Sequence, residues 1–351
     1  MRKFNLIKEY NSVISNNNII NLMNKIHEYK GRQSYLLESK KDTLNTLLNV
    51  ARIQSTSSSN KIEGIYTTDE RINEIVNQKL EPKNRNEEEI AGYRDVLSLI
   101  HENHNFIDIN QNTILQLHKY LYKYTGYSYG GKFKSSQNYI EEINENGEKR
   151  VRFTPLSPVE TPMAIDDLCK SYNELINNEL CDLLVLIPIF ILDFVSIHPF
   201  NDGNGRMSRL LTLLLLYKAD YMVGKYISIE KIIEDTKESY YDTLKKSSIN
   251  WNDGKNDYSY FVEYYLGIIL NAYKEFDSRI NIIENQKMTS YDKVIEVFKD
   301  NSIIPIDKTF IMNKCPDLSE TTIERVLNKL LKEDKIIKIS GGRYTKYKWN
   351  N

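Results

Sequence analysis

A mainly α-helical fold, with one β-hairpin near its middle and a small mixed module at its end, is what this 351-residue chain predicts. Three observations carry that expectation. Apolar residues recur at helical spacing along most of the chain, as at Leu44, Leu47, Leu48 and Ala51. Residues 138–143 and 150–153 have the β-branched and aromatic character of strands, and Asn146-Gly147 between them favours the tight turn that matches strand twist. Residues 287–351 then give short helical patterns followed by two strand-like runs around Gly341-Gly342.

Bulk properties narrow the class. The length suggests about two domains, each able to bury a core. A net charge of −1 with 27% charged residues argues for no global attraction to nucleic acid or membrane. Cys169, Cys181 and Cys315 are scattered without metal-type spacing, so a reducing, cytoplasmic setting is expected. No sustained apolar run follows Met1, and residues 183–195 are too few to span a bilayer and contain Pro188 and Asp193.

Taken in order, residues 40–53 read as a helix. A serine-rich break follows at Ser55-Thr56-Ser57-Ser58-Ser59, then a single helical turn closed by Gly64 as a C-cap. Residues 87–100 and 111–124 read as amphipathic helices. His101, His104 and His118 on or beside them are assigned to packing or surface, because no second metal-ligand type clusters with them; His27 likewise has no partner in sequence. The hairpin comes next. Pro155, Pro158 and Pro162 end the extended region before a helix near 165–177.

Two very apolar segments, 183–195 and 210–217, are long enough for core helices, and the stretch between them is polar and glycine-rich. Pro199 disfavours helical geometry at His198, so the first helix should stop near Ile197. Gly203 and Gly205 let the backbone turn and bring amide N–H groups close to a ligand. A second helix beginning near Asn204–Arg206 would present an anion-attracting N-terminus. Arg206 and Arg209, three apart, can grip phosphates with forked donors. Asp202 offers a hard oxygen suited to Mg²⁺, and His198 has the ring suited to proton transfer near neutrality. Singly, each could belong to an ordinary polar turn; together they describe a metal-assisted phosphoryl or nucleotidyl transfer site. Beyond it, 258–276 reads as another helix. In the terminal module, 291–300 and 307–315 are short helices, and Ser319 caps a third with Ile323, Val326, Leu327, Leu330 and Leu331 on its buried face. Arg325, Lys329 and Lys332 form an exposed basic stripe, and from Arg325 onward there are eight Lys/Arg against two Asp/Glu.

The segment from His198 to Arg209 resembles the Fic family signature HPFx[D/E]GNGRxxR, matching it at every fixed position. The resemblance extends over roughly 40–280 and implies a Fic helical bundle whose hairpin, about 133–155, is a flap that aligns a target segment by strand addition. It implies a protein adenylyltransferase that moves AMP from ATP to a Tyr, Thr or Ser hydroxyl of a target protein or of the chain itself. His198 would be the base and Asp202 would hold Mg²⁺. Gly203, Asn204 and Gly205 would cradle the phosphates, with Met207 and Ser208 in the same nucleotide-binding segment. Arg206 would grip the β-phosphate and Arg209 the γ-phosphate. Phe200 would anchor the loop in the core, and Tyr240 and Tyr241 would line the adenine pocket. Ser59 through Gly64 resembles the inhibitory motif [S/T]xxxE[G/N], in which Glu63 pairs with Arg209. Lys134 stands where many relatives have arginine. The terminal module resembles a winged helix-turn-helix that binds DNA or serves protein contact. The implied division is an N-terminal helical region (1–110, with the motif at 59–64), a Fic core (111–280, with the loop at 198–209) and the winged module (287–351). Two alternatives stay open: the same site removing AMP from modified targets, and an ATP-sensing DNA-binding regulator. A homodimer is compatible with this sequence, and no membrane partner is expected.

Overall fold

The computed structural model describes residues 4–39, 41–143, 148–287, 289–302, 305–315, 318–339 and 345–350. They form two compact units, Met1–Asp277 and Ser278–Asn351. The first begins with α1 (Leu6–Val13), α2 (Asn17–Ser39) and α3 (Lys41–Ile62). Helix α4 (Asp69–Asn73) runs into a wider turn at Glu74–Gln78 and leads to α5 (Arg85–Asn103) and α6 (Gln111–Leu121). The hairpin β1 (Ile140–Ile143) and β2 (Lys149–Phe153) follows, then α7 (Thr161–Asn177), α8 (Leu183–Ile197) and α9 (Asn204–Lys218). Helices α10 (Ile229–Asp235), α11 (Lys237–Ser247) and α12 (Ser259–Lys287) complete the series. No helix among the described residues is long and apolar enough to cross a membrane.

The centre of the first unit is the α8–α9 pair, against which α1, α5 and α7 pack. Both helices are buried around nearly their whole circumference, from Leu184 to Ile197 and from Arg206 to Tyr217. Each fully buried Leu, Ile or Phe there contributes about 1.5–3 kcal/mol of transfer free energy. The pair therefore forms a stiff base for the polar loop at its tip. The hairpin is antiparallel, with Glu141 opposite Val151 and Glu142 opposite Arg150, and the register shifts between Ile140 and Glu141. Glu142 accepts from Arg150 and from Lys245 of α11, at 2.7 Å in each case, tying the hairpin to that helix. The Asn146-Gly147 turn lies outside the described residues.

The expected break after residue 53 is overturned. The serine-rich stretch does not break α3, which runs unbroken to Ile62. Ser55, Thr56, Ser58, Ser59 and Asn60 are all buried. Ser55 Oγ donates to Ser228 Oγ (2.9 Å), Ser58 Oγ to Glu234 Oε2 (2.7 Å), and Asn60 Nδ2 to Thr56 O (2.8 Å). Low helix propensity is a small term per residue, and these tertiary partners outweigh it. The small side chains also let α3 lie close to α10. Gly64 then stops the chain in the left-handed region, at φ 78°.

The second unit contains α13 (Ser290–Asp300), β3 (Ile306–Asp307), α14 (Lys308–Lys314), α15 (Glu320–Lys332), β4 (Ile336–Lys338) and β5 (Lys346–Trp349). Its core gathers Val294, Phe298, Ile311, Ile323, Leu327 and Leu330. Ser319 caps α15 through Thr322 N. The sheet has three strands in the order β3-β5-β4, not the two expected, because the short β3 pairs Ile306 with Tyr347. Gly341-Gly342 and Pro316 lie outside the described residues.

Candidate active site

Helix α8 ends where Pro199 requires it to. His198 takes a left-handed conformation (φ 53°), which costs an L-residue about 1–2 kcal/mol. Such a conformation persists only where its surroundings over-determine it. Here Lys134 N donates to Pro199 O (2.9 Å), Lys134 Nζ to Ile197 O (3.0 Å), and Asn138 Nδ2 to Phe200 O (3.0 Å). Asn204 closes the loop from the other side: its Oδ1 accepts from Phe200 N (2.9 Å) and its Nδ2 donates to Phe200 O (2.8 Å). Phe200 is fully buried and lies flat on the His118 ring, with centroids 3.7 Å apart. Gly203, at φ 80°, caps α9. The carbonyls of Ile197, Pro199 and Phe200 are thus pinned before a ligand arrives.

The two arginines at the start of α9 are both buried and both held by carboxylates. Arg209 Nη2 donates to Glu63 Oε1 (2.7 Å) and to Ser59 O (2.8 Å), while its Nε donates to Ser59 Oγ (2.8 Å). The approach depends on Gly205, where a Cβ would meet Glu63 Oε1 at 2.1 Å. Lys237 Nζ donates to Ile62 O (2.8 Å), fastening the end of α3 beside Glu63. Arg206 Nη2 donates to Glu89 Oε2 (2.8 Å) and to Tyr122 OH (2.7 Å). Its Nε and Nη1 are buried and have no protein partner.

His198 is buried enough that desolvation, helped by the nearby Lys134 cation, lowers its pKa to about 4. Its Nδ1 lies 3.3 Å from Val195 O, a contact that assigns the proton to Nδ1 and leaves Nε2 as an acceptor. Burial also lowers Lys134, to about 8. Asp202 is half exposed; its Oδ1 accepts from Gly203 N (2.7 Å), and Oδ2 lies 3.9 Å from Arg206 Nη2. Tyr240 is buried with its hydroxyl beside Ser208 and Arg209, whereas the adjoining Tyr241 ring is partly open to solvent. Ser208 Oγ donates to Gly205 O, and Met207 is wholly in the core.

A polar loop pinned between two core helices, with paired arginines, a carboxylate and a neutral imidazole, belongs to a recognisable kind of domain. Residues 106–216 match the Fic/DOC family. The chain carries a Fic domain. A protein adenylyltransferase from Caenorhabditis elegans is 27% identical over 124 residues, which cover 35% of this chain and 22% of that protein. Another from Drosophila yakuba is 32% identical over 118 residues, covering 33% and 21%. This chain thus aligns with only about a fifth of the length of these relatives. A Fic family protein from Desulfovibrio desulfuricans G20 has the same fold, with a TM-score of 0.61 at 22% identity, over 96% of this chain and 97% of that one. A Fic-1 structure from C. elegans gives 0.60 at 17% identity, over 76% and 73%.

Several residues around the Fic domain's loop were not anticipated as site residues. The sequence places His118 with packing or surface residues. Its Nδ1 accepts from Gly131 N (3.0 Å), so Nε2 carries the proton and donates to Asp202 O (3.1 Å). Burial holds this ring neutral, with its pKa lowered to about 4. Glu89 sits in a run of three glutamates that reads as a solvated face. The available signal was Gly92, one turn further along α5. A glycine inside a helical pattern marks a close approach, and here a Cβ would come within 1.9 Å of Leu121 O. Tyr122 follows at once on α6 and so reaches Arg206. His27, without a partner in sequence, binds Asp182 Oδ2 at 2.8 Å far along the chain.

Among the described residues no cluster of three or more His, Cys, Asp or Glu could cage a metal. The Fic domain instead offers one half-exposed carboxylate, Asp202, beside buried arginine donors without partners. That set fits Mg²⁺, which usually keeps several waters and binds through one or two carboxylates together with substrate phosphates.

Proposed function

We propose that this chain is a protein adenylyltransferase held in check by Glu63. The observation that carries the reading is the Arg209 clamp: a buried guanidinium, aimed into an anion-binding loop, is occupied by Glu63 and Ser59 of α3. In the active state Arg206 and Arg209 grip the β- and γ-phosphates of ATP. The Gly203–Gly205 amides then cradle the phosphate chain. Asn204 keeps the loop's shape through Phe200, and Met207 and Ser208 seat the helix. Tyr240 and Tyr241 flank the base. His198 Nε2 accepts the proton of a Tyr, Thr or Ser hydroxyl as its oxygen bonds to the α-phosphorus and pyrophosphate leaves. No covalent enzyme intermediate is needed, because fixed phosphates supply orientation and charge stabilisation. Asp202 would hold Mg²⁺, whose chemistry is to neutralise phosphate charge. The exposed edge of the hairpin, with Tyr139 and Val151 open to solvent, offers a strand to a target segment. While Glu63 holds Arg209, the γ-phosphate lacks its anchor and the α-phosphate is misaligned.

The test uses wild-type, Glu63→Gly and His198→Ala proteins with Mg²⁺ and ATP labelled at the α- or γ-phosphate. Transfer of α-label only, raised by Glu63→Gly and lost in His198→Ala, supports the reading. Transfer of γ-label would mean phosphorylation, and no transfer to the chain or to a lysate would sink it. Loss of label from premodified protein, dependent on Glu63, would assign removal of AMP instead.

A second activity is favoured by α15. Arg325, Asn328, Lys329 and Lys332 fall at i, i+3, i+4 and i+7, all exposed on one face. Lys308 pairs with Glu320 and Glu324 at 2.6 and 2.7 Å, partly neutralising the acidic side of that helix. The second unit therefore reads as a winged helix-turn-helix with α15 in a DNA major groove. Binding of the full chain to duplex DNA should weaken steeply with salt and with Arg325→Ala. Binding insensitive to both would remove this reading.

A further inference from the structure

We infer that Glu89 is a positioning residue that sets how Arg206 meets a phosphate, holding one nitrogen of the guanidinium and lowering its pull on bound anions. The inference rests on the transferase reading above. Arg206 and Glu89 are both almost completely buried, with side-chain exposures of 1% and 3%. Glu89 Oε2 and Tyr122 OH together take Nη2, which fixes the plane of the fork. Nε and Nη1 are buried with no protein partner. Buried donors left unpaired are costly, so they mark the edge at which an anion is received. The carboxylate's other oxygen, Oε1, accepts from Arg85 Nε at 3.2 Å, and Arg85 itself is largely exposed. The groups facing Arg206 are thus Glu89 and Tyr122 behind it and Asp202 at 3.9 Å.

This arrangement differs from the Glu63 clamp. Glu63 occupies the donors that its arginine would turn towards phosphate, whereas Glu89 leaves two free. A full negative charge within hydrogen-bond distance nonetheless reduces the positive potential that a phosphate feels there. Weaker binding of ATP and of the leaving pyrophosphate keeps ground and product states from becoming traps.

The sign of the effect separates this role from simple packing. In the full chain carrying Glu63→Gly, adding Glu89→Gln keeps an acceptor oxygen and the side-chain shape while removing the charge. Pyrophosphate and ATP should then bind about tenfold more tightly by calorimetry, with kcat and KM for label transfer both falling. Glu89→Asp keeps the charge but draws it back by one methylene. It should hold pyrophosphate affinity near the parent's while kcat falls, and it serves as the test should the Gln variant not fold. Equal or weaker pyrophosphate binding in a folded Gln variant overturns the inference, as does unchanged kcat in the Asp variant. A Glu63→Gly parent that neither binds ATP nor transfers label fails differently, because it removes the transferase reading itself.

Discussion

Replacing Glu63 with glycine should do two opposite things, and the structure gives their rough size. Arg209 donates two hydrogen bonds to neutral oxygens of Ser59 and one, at 2.7 Å, to the Glu63 carboxylate, where both partners are charged. A hydrogen bond to a charged group contributes roughly 1.5–3 kcal/mol. The Glu63 side chain is 31% exposed, so solvent screening places the value towards the lower end. At 1.4 kcal/mol per factor of ten, freeing Arg209 should raise the transfer rate about tenfold. The same change leaves a buried guanidinium held only by neutral groups, which destabilises the ligand-free protein. Melting without ATP should therefore fall, and ATP should raise it more in Glu63→Gly than in wild type, because ATP now restores the missing charge. Initial rates of α-label transfer and paired melts with and without nucleotide would measure both. A folded variant whose rate stays within about twofold of wild type would show that the Glu63 contact is not what limits transfer, contrary to the magnitude argued from charge-assisted bonds.

Three further outcomes follow from residues around the loop. His118→Phe keeps the stack on Phe200 but leaves Asp202 O and Gly131 N without their partner, so transfer should drop about tenfold at a cost of roughly 1–3 kcal/mol in stability. An unchanged rate would show that the Asp202 carbonyl needs no anchor. Gly92→Ala drives a Cβ against the Leu121 backbone and should cost about 3 kcal/mol on urea unfolding, with activity falling as Tyr122 shifts; a neutral result would mean α5 and α6 can separate freely. Burial lowers the pKa of His198 and His118 to about 4 and that of His101 to about 3, against an unfolded value near 6.5. The unfolded chain then binds more protons between pH 6.5 and 4, so stability falls as pH falls through that window. Between pH 6.5 and 5.5 each ring should cost about 1 kcal/mol, lowering the melting temperature by roughly 5–10 °C. A flat melting temperature over that interval would contradict the burial of these rings.

What could be read in the sequence, and what could not, divides along a physical line. The loop's ends were legible because Pro199 restricts the backbone at His198 and Gly203 permits the left-handed turn (φ 80°) that other residues resist, and such preferences act whatever surrounds them. The apolar runs of α8 and α9 were legible because burial on all faces leaves no polar period to misread. The serines of α3 were misread as a break because their helix is stabilised by Ser228 and Glu234, over 170 residues away, and no local rule contains those partners. Helices α1 and α2 fall within the N-terminal helical region (1–110) that the resemblance implies, but no local pattern marked their bounds, and α2 (Asn17–Ser39) starts in a run of asparagines, which are poor helix formers. His118 and Glu89 were passed over for a related reason. An imidazole with no ligand near it in sequence and a glutamate among glutamates carry no signal of their own. Their roles exist only once Phe200, Asp202 and Arg206 are brought to them. Groups that would touch a phosphate must be adjacent to share one loop, so they form a pattern in sequence. Groups that hold those residues need only converge in space, and here they come from α3, α5 and α6, where their neighbours in sequence are unremarkable. A site of this kind will be found by its contacting residues and tuned by the others, which is why the informative substitutions lie at Glu63, Glu89 and His118 as much as at His198.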